Sequence, residues 1–248
     1  MIKRLLVFHI FFLSLVSRCA LAAELDWSLY TQVLDRYLSE RTVDDTRLAW
    51  LNYSGLKGEP AFPRLVEQIA AFPTGNLKSL DEKLAFYINA YNILAIKMVL
   101  DHWPLVSIKD VGNLLNPVWK RLVGVVGGKT FSLDKIENDI LRKLGEPRIH
   151  MAIVCASKSC PDLLPEPYTA ATLNRQLDAA SIGYLNNPTK GLRVEGQTVR
   201  VSKIFDWFGR DFERMGGVEV FIRTHRPDLP PGLEIKADLP YDWTLNGE

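Results

Sequence analysis

The sequence contains little of what marks several large classes of protein. Only three of its 248 residues are cysteine, and 30 basic side chains nearly balance 29 acidic ones. Because there is no basic excess to neutralise phosphates, binding to nucleic acid has no electrostatic support. We also find no internal repeat and no low-complexity segment, which leaves an ordinary globular chain.

Long uninterrupted apolar runs are scarce as well. The run at residues 84–100 comes closest, and Asn89, Asn92 and Lys97 interrupt it. A membrane-spanning helix needs roughly 20 predominantly apolar residues. We therefore expect no membrane span once the N-terminal segment has been removed.

The N-terminus has the three parts of a secretory signal peptide. Lys3 and Arg4 precede an apolar stretch at residues 5–17, and Ala20-Leu21-Ala22 supplies a small-x-small cleavage site. Cleavage after residue 22 removes three basic side chains and no acidic one, which leaves a net charge of about −2. The mature protein is expected to be periplasmic or secreted.

Cleavage leaves two cysteines, Cys155 and Cys160. In an oxidising compartment, two neighbouring thiols favour a structural disulfide. A nucleophilic cysteine is the competing interpretation, because Lys158 and a nearby helix N-terminus would lower the pKa of a thiol. The C-x4-C spacing alone is a weak zinc signal and C-x-x-C is absent, so we expect neither a metal nor a cofactor.

The cysteines follow a short apolar run at residues 149–154, which predicts a buried strand that ends in a polar loop. His150 in this run is the candidate general base. On a strand an odd offset places it on the face opposite Cys155, whereas Cys160 reaches it more easily after the loop turns back.

Other polar side chains could bind a substrate or orient the histidine. Asn89 and Asn92 share one face of an otherwise apolar helix, where their amides either tie loop backbone to the core or line a pocket. Glu137, Arg142 or Arg148 could hold the imidazole of His150 in one tautomer. The candidate catalytic residues are Cys155, Cys160, His150 and Glu137, and the candidate substrate-binding residues are Asn89, Asn92, Arg142, Arg148, Ser157, Lys158 and Asp206.

The spacing of apolar residues predicts helices and hairpins without a βαβ rhythm, and therefore an α+β fold. The predicted helices are residues 27–40, 62–72, 80–102, 133–144, 169–185, 202–214 and 218–225, and the predicted hairpins are 121–132 and 192–201. No long Gly/Ser linker divides the chain, so we expect a single domain with a central buried helix and a small antiparallel sheet. Residues 23–82 would form an N-terminal helical segment packed on a domain at residues 83–248.

Several motifs resemble a known family, the domain of unknown function family numbered 547. They are Phe86-Tyr87-Ile88-Asn89-Ala90-Tyr91-Asn92, Ser132-Leu133-Asp134-x-Ile136-Glu137, Arg148-Ile149-His150 with Ser157-x-Ser159-Cys160-Pro161, Asp206-Trp207 with Asp211-Phe212, and Tyr241-Asp242-Trp243-x-Leu245-Asn246. The resemblance covers residues 83–246 and implies a secreted bacterial member. It implies no reaction, because the family has no assigned biochemical role.

Two hypotheses about function follow. In the first, a cysteine-dependent hydrolase or acyl or peptidyl transferase acts on a small peptide-like or acyl ligand, with Cys155 or Cys160 attacking, His150 as general base, and Glu137 or Asn89 orienting it. In the second, the chain is a non-catalytic periplasmic ligand-binding or scaffold protein, in which Cys155–Cys160 is a structural disulfide. The residues alone leave both open, and they name no protein partner.

Overall fold

A long helix, α4 (Leu80–Asp101), runs through the middle of the fold. The structure, a computed structural model, describes residues 24–113 and 115–248, so the predicted signal peptide at residues 1–22 lies outside the described residues. α4 begins at a capping box, in which Ser79 Oγ accepts from the Glu82 N–H at 3.1 Å and the Glu82 carboxylate accepts from the Ser79 N–H at 2.8 Å. Buried side chains occur all round α4, as expected of a central helix.

α4 is also long and apolar enough to cross a membrane by length and composition alone. However, 83% of its most apolar 18-residue window is buried inside the protein. A helix enclosed by its own chain satisfies the same length and hydropathy test, so this observation does not argue for a membrane span.

Seven other α-helices occur in the described part of the chain. They are α1 (Ser28–Tyr37), α2 (Tyr53–Leu56), α3 (Ala61–Ala71), α5 (Leu133–Lys135), α6 (Leu173–Leu185), α7 (Ile204–Trp207) and α8 (Val218–His225). α5 continues as a π-helix (Ile136–Leu141) and a 3-10 turn (Arg142–Leu144) that ends at Gly145, whose φ is +78°. Three further 3-10 helices contribute to the site, at Val118–Lys120, Pro147–Met151 and Gly209–Met215.

The strands form three small sheets. The strands are β1 (Leu38–Val43), β2 (Thr46–Leu51), β3 (Leu122–Val126), β4 (Lys129–Ser132), β5 (Leu192–Glu195), β6 (Thr198–Ser202) and β7 (Glu234–Leu239). β1–β2 and β3–β4 are antiparallel hairpins, and β5–β6 is a hairpin to which β7 adds in the parallel direction. The predicted α+β fold is confirmed, although the largest sheet is mixed and not purely antiparallel.

Three predicted elements are wrong in detail. The predicted helix at residues 202–214 is interrupted at Phe208, which separates α7 from the 3-10 helix at Gly209–Met215. Residues 149–154 do not form a strand, because Pro147 starts a 3-10 helix and the Glu146 carboxylate accepts from the Arg148 N–H at 3.0 Å. The backbone of Ala152 and Val154 is hydrogen-bonded by the Asn92 side chain of α4 and not by a neighbouring strand. The first helix ends at Tyr37, and the chain then enters the β1–β2 hairpin, which the sequence analysis missed.

Apolar side chains form two adjoining cores. The larger one surrounds α4 and includes side chains of α1 and α3, so the described residues before residue 83 share its core. The smaller one joins α6 and α8 to the three-stranded sheet. Ile153 and Tyr91 belong to the larger core, Ile204 to the smaller one, and all three line the same cleft.

Candidate functional site

An open cleft of about 330 Å³ lies where the two cores meet. Its lining brings together the polar end of the α5 region, the 3-10 helix at Pro147–Met151, the cysteine loop, α7 and the C-terminal segment. The lining residues are Tyr91, Trp119, Asp134, Glu137, Asn138, His150, Ile153, Cys155, Cys160, Pro161, Ile204, Trp207, Phe208, Tyr241 and Trp243. All four candidate catalytic residues are among them.

The sulfurs of Cys155 and Cys160 are at disulfide-bonding distance, and their Cα atoms lie 6.0 Å apart. Between them, Ala156 has a φ of +57°, an uncommon conformation for a residue with a Cβ. The Tyr241 hydroxyl lies 3.3 Å from each sulfur, and Ser157 Oγ lies 3.3 Å from Cys155 Sγ. The pair is therefore built into one wall of the cleft, with hydroxyl groups beside it.

Four aromatic side chains form a second wall, which we call the aromatic wall: Trp119, Trp207, Tyr241 and Trp243. The Trp243 ring lies 4.5 Å from Tyr241, 5.8 Å from Trp207 and 5.9 Å from Trp119, measured between centroids. Trp207 is 43% exposed, which is unusual for a side chain with so much apolar area. Lys109 Nζ stands 4.4 Å from the centre of the Trp243 ring.

A chain of polar contacts fixes His150. Its Nε2 lies 2.8 Å from Asp211 Oδ2, and its ring stacks on Phe208 with centroids 4.2 Å apart. Arg142 binds the same carboxylate with two N–H groups, at 2.6 and 2.9 Å, and donates a third hydrogen bond to Asn138 Oδ1 at 2.6 Å. The imidazole therefore has one fixed orientation.

Burial dominates the electrostatics of His150. Its side chain is 1% exposed, and loss of hydration lowers its pKa to about 4 even though Asp211 opposes the shift. The pKa of Asp211 is lowered through its hydrogen bonds to Arg142 and His150, which outweigh its partial burial. At neutral pH the site thus holds a neutral imidazole against an ionised carboxylate, the state that a general base requires.

Glu137 shows the opposite shift. Burial raises its pKa to about 7, with nearby Asp134 and Asp211 adding to the shift and Arg142 and the Tyr91 hydroxyl opposing it. No salt bridge reaches Glu137 within the described residues, because the Arg142 guanidinium is turned to Asp211 and Asn138. Near neutral pH, Glu137 is an acid poised at its titration midpoint inside the cleft.

The predicted cysteine–histidine pair shares the cleft but is not joined. Among the contacts of the described residues, no hydrogen bond links either sulfur to His150; both sulfurs face Tyr241 instead. The residue that orients His150 is Asp211, whereas Glu137 and Asn89 had been predicted. Asp211 is named in the sequence only as part of a family motif, and its pairing with His150 has no local signal because the two residues lie 61 positions apart.

Asn89 and Asn92 lie outside the cleft lining. Asn89 bonds both the N–H and the C=O of Tyr168, at 2.9 and 2.8 Å. Asn92 accepts from the Val154 N–H at 2.8 Å and donates to the Ala152 C=O at 3.0 Å. Both amides are occupied by loop backbone, which matches the first of the two alternatives, and Asn92 thereby supports the segment that leads into Cys155.

Some of the remaining predicted substrate-binding residues lie beside the cleft, and others are held in ion pairs away from its lining. Arg142 and Ser157 act as close neighbours of cleft groups, as described above. Arg148 is held by Glu146 at 2.6 Å and Asp178 at 2.8 Å, and Lys158 pairs with Asp44 at 2.6 Å. Asp206 is exposed on α7, and it is Asp211, after the turn at residues 208–209, that enters the site.

Sequence analysis missed the aromatic wall. Trp119 is not among the residues singled out in the sequence, and Trp207, Tyr241 and Trp243 are named there only as parts of family motifs. The alternation of Tyr241 and Trp243 with Asp242 is a local signal that the two aromatic rings share one face of the chain. No pattern in the sequence links them to Trp119. Across residues 24–113 and 115–248, no group of three His, Cys, Asp or Glu side chains is placed to hold a metal ion.

The fold and the site define an α+β protein with an aromatic, carboxylate-lined cleft beside a cysteine pair. Residues 75–185 match the family model described as "Protein of unknown function, DUF547", which supports the resemblance drawn from the motifs. The matched segment carries α4, the α5 region, His150 and both cysteines, whereas Asp211 and most of the aromatic wall lie beyond it. No curated protein and no solved structure matches the chain.

Proposed function

We propose that this chain is a secreted or periplasmic ligand-binding protein whose cleft takes one small, largely apolar ligand. The observation that carries the proposal is the aromatic wall, which lines a cleft that also holds a few fixed polar groups. Ligand sites in proteins are concave, mostly apolar and supplied with a few convergent polar side chains, in volumes of roughly 300–1,000 Å³. The cleft falls at the lower end of that range, which fits a ligand the size of a small peptide-like or acyl fragment.

In this proposal Cys155–Cys160 is a structural staple. The bonded pair has no free thiolate, so it offers no nucleophile in this form. It instead fixes the loop that carries Ser157 and sets the position of Tyr241, whose hydroxyl contacts both sulfurs. A disulfide is stable in the oxidising compartment that the N-terminal sequence predicts.

Binding can be tested with N-phenyl-1-naphthylamine, a neutral probe whose emission rises in apolar sites. We expect saturable binding of one probe per mature chain, with affinity lost in Trp207→Ala. The control is Trp50→Ala, which removes an indole that packs near Arg41, outside the cleft lining. Binding that is absent in the wild type, or equal in the wild type and Trp207→Ala, would remove the proposal.

The compartment has its own test. Mass spectrometry of the periplasmic or secreted fraction should find a chain that begins at Ala23. Recovery of the intact N-terminus in the cytoplasm alone would contradict the proposed location.

A cysteine-dependent hydrolase or transferase is the second candidate function, and one observation favours it. His150, held neutral and oriented by Asp211, lines the same cleft as Cys155 and Cys160, as a base near a nucleophile would. Alkylation without reductant, followed by mass spectrometry, separates the two functions. A thiol that is free and alkylates rapidly near pH 6 supports the enzyme, whereas two blocked cysteines linked to each other support the binding protein.

A further inference from the structure

The charges that line the cleft have one sign. Among the described residues, the lining contains the carboxyl groups of Asp134 and Glu137, a neutral His150, and no lysine or arginine. Neither carboxylate has a salt bridge within the described residues; Asp134 accepts only a hydrogen bond from Asn138, at 3.0 Å. Carboxylates that are withdrawn from water normally have a cationic partner.

Glu137 is the more telling of the two, because it is partly buried and no salt bridge reaches it within the described residues. The nearest guanidinium, that of Arg142, directs its N–H groups at Asp211 and Asn138. Burial without a counter-ion destabilises the carboxylate, which is why the pKa of Glu137 is raised. A cation placed in the cleft would reverse that cost.

The aromatic wall of the same cleft is suited to the same kind of group. Aromatic faces attract cations through their ring quadrupoles, and tryptophan does so most strongly. Three of the four rings in the aromatic wall are tryptophans, and Lys109 already stands over one of them, Trp243. A bare metal ion would need several oxygen ligands, which a wall of indoles does not supply.

We propose that the ligand of this cleft is a small organic cation, an amine or quaternary ammonium with an apolar body, whose charge lies between Glu137 and the aromatic wall. This inference rests on the proposed binding function and names the class of ligand. The apolar body packs against Trp207 and Tyr241, and the ammonium replaces the missing counter-ion of Glu137. Asp134 adds attraction from the same helical face, three positions earlier.

The experiment compares three probes of nearly equal shape by isothermal titration calorimetry on the mature chain: 2-phenylethylammonium, 2-phenylethanol and 3-phenylpropionate. We expect the cation to bind at least tenfold more tightly than the alcohol and the carboxylate to bind most weakly. Glu137→Gln should lower the affinity for the cation about tenfold and leave the alcohol unchanged. Asp139→Asn is the matched control, because this carboxylate lies on the same helix but pairs with Lys143 at the surface.

The affinity for the cation should also rise with pH. Glu137 faces Tyr91 from α4, Asp134 and Arg142 from its own helical segment, Asp211 from the 3-10 helix at Gly209–Met215, and Tyr241 from the C-terminal segment. Because the ionised carboxylate should bind the ammonium about tenfold more tightly than the neutral carboxyl, affinity should increase about fivefold between pH 6 and 8, and this increase should vanish in Glu137→Gln.

The outcomes separate this inference from the proposed function. Equal or tighter binding of the alcohol or the carboxylate, or failure of the cation to bind where N-phenyl-1-naphthylamine binds, overturns the cationic class and leaves the binding function standing. If neither the naphthylamine nor any of the three probes binds, both proposals fail together. Tight binding of Mg²⁺ or Ca²⁺ that depends on Glu137 also overturns the organic cation.

Discussion

Replacing Asn92 with alanine should destabilise the protein far more than a surface asparagine would. The Asn92 side chain is 2% exposed and satisfies two backbone groups, the N–H of Val154 at 2.8 Å and the C=O of Ala152 at 3.0 Å. Those residues are themselves 3% and 1% exposed, so water cannot replace the lost amide without opening the core.

The magnitude follows from the two groups that would be left without partners. Each buried polar group that loses its hydrogen bond costs about 1–3 kcal/mol. The two together predict a loss of about 2–6 kcal/mol in the free energy of unfolding. That is a large part of the roughly 5–15 kcal/mol available to a typical folded protein, yet it leaves a folded variant to measure.

Urea unfolding followed by circular dichroism gives the measurement. Asn76→Ala is the control, since Asn76 is exposed and its side chain has no hydrogen bond within the described residues. Asn92→Asp adds a second check: only the protonated carboxyl can donate to Ala152, so this variant should lose less stability at pH 5 than at pH 8. If Asn92→Ala costs less than about 1 kcal/mol, or no more than Asn76→Ala, the amide does not support this segment and the reasoning is refuted.

Three further predictions concern charge and covalent linkage. Reducing the disulfide frees a very short loop, so scanning calorimetry with and without reductant should show a loss of about 2 kcal/mol, or about 4 °C in Tm; an unchanged Tm would contradict a bonded staple. Between pH 6.5 and 4.5 acid favours unfolding through His150, whose folded pKa of about 4 lies below its unfolded value, and favours folding through Glu137, whose folded pKa of about 7 lies above its unfolded value. The two effects oppose each other in the wild type, so Glu137→Gln should lose roughly 2–3 kcal/mol more than the wild type over this range in urea titrations, and parallel curves would rule out the shift. The Lys190 ammonium is buried and donates to Asp162 at 2.7 Å, so Asp162→Ala should lower the free energy of unfolding by roughly 3 kcal/mol and by more than Lys190→Met does. Thermal unfolding of both variants measures this order, and a larger loss in Lys190→Met would contradict it.

Local chemistry determined much of the fold. The capping box at Ser79 and the run of apolar residues after it were sufficient to place α4 and to predict its central burial. Turn glycines likewise placed both predicted hairpins, since Gly127 and Gly196 adopt the positive φ that such turns require. These features depend on neighbours within a few residues, and the sequence displays those directly.

Elements that depend on distant partners were harder to predict. Residues 149–154 have the composition of a strand, but their backbone is bonded by Asn92, 60 or more positions away. The direction of β7 was equally hidden, because its pairing partner β6 precedes it by more than 30 residues. Composition favours a strand without stating what the strand will pair with.

By itself the sequence determined the type of fold, the position of the central helix and the small set of polar residues to consider, because those follow from spacing and local hydrogen bonding. Only the tertiary structure decided that Asp211 holds His150, that both sulfurs face Tyr241, and that Glu137 is buried without a counter-ion. Each of these facts joins residues separated by tens of positions. Their pKa values and contacts arise from the packing of two cores around one cleft, which no local pattern records.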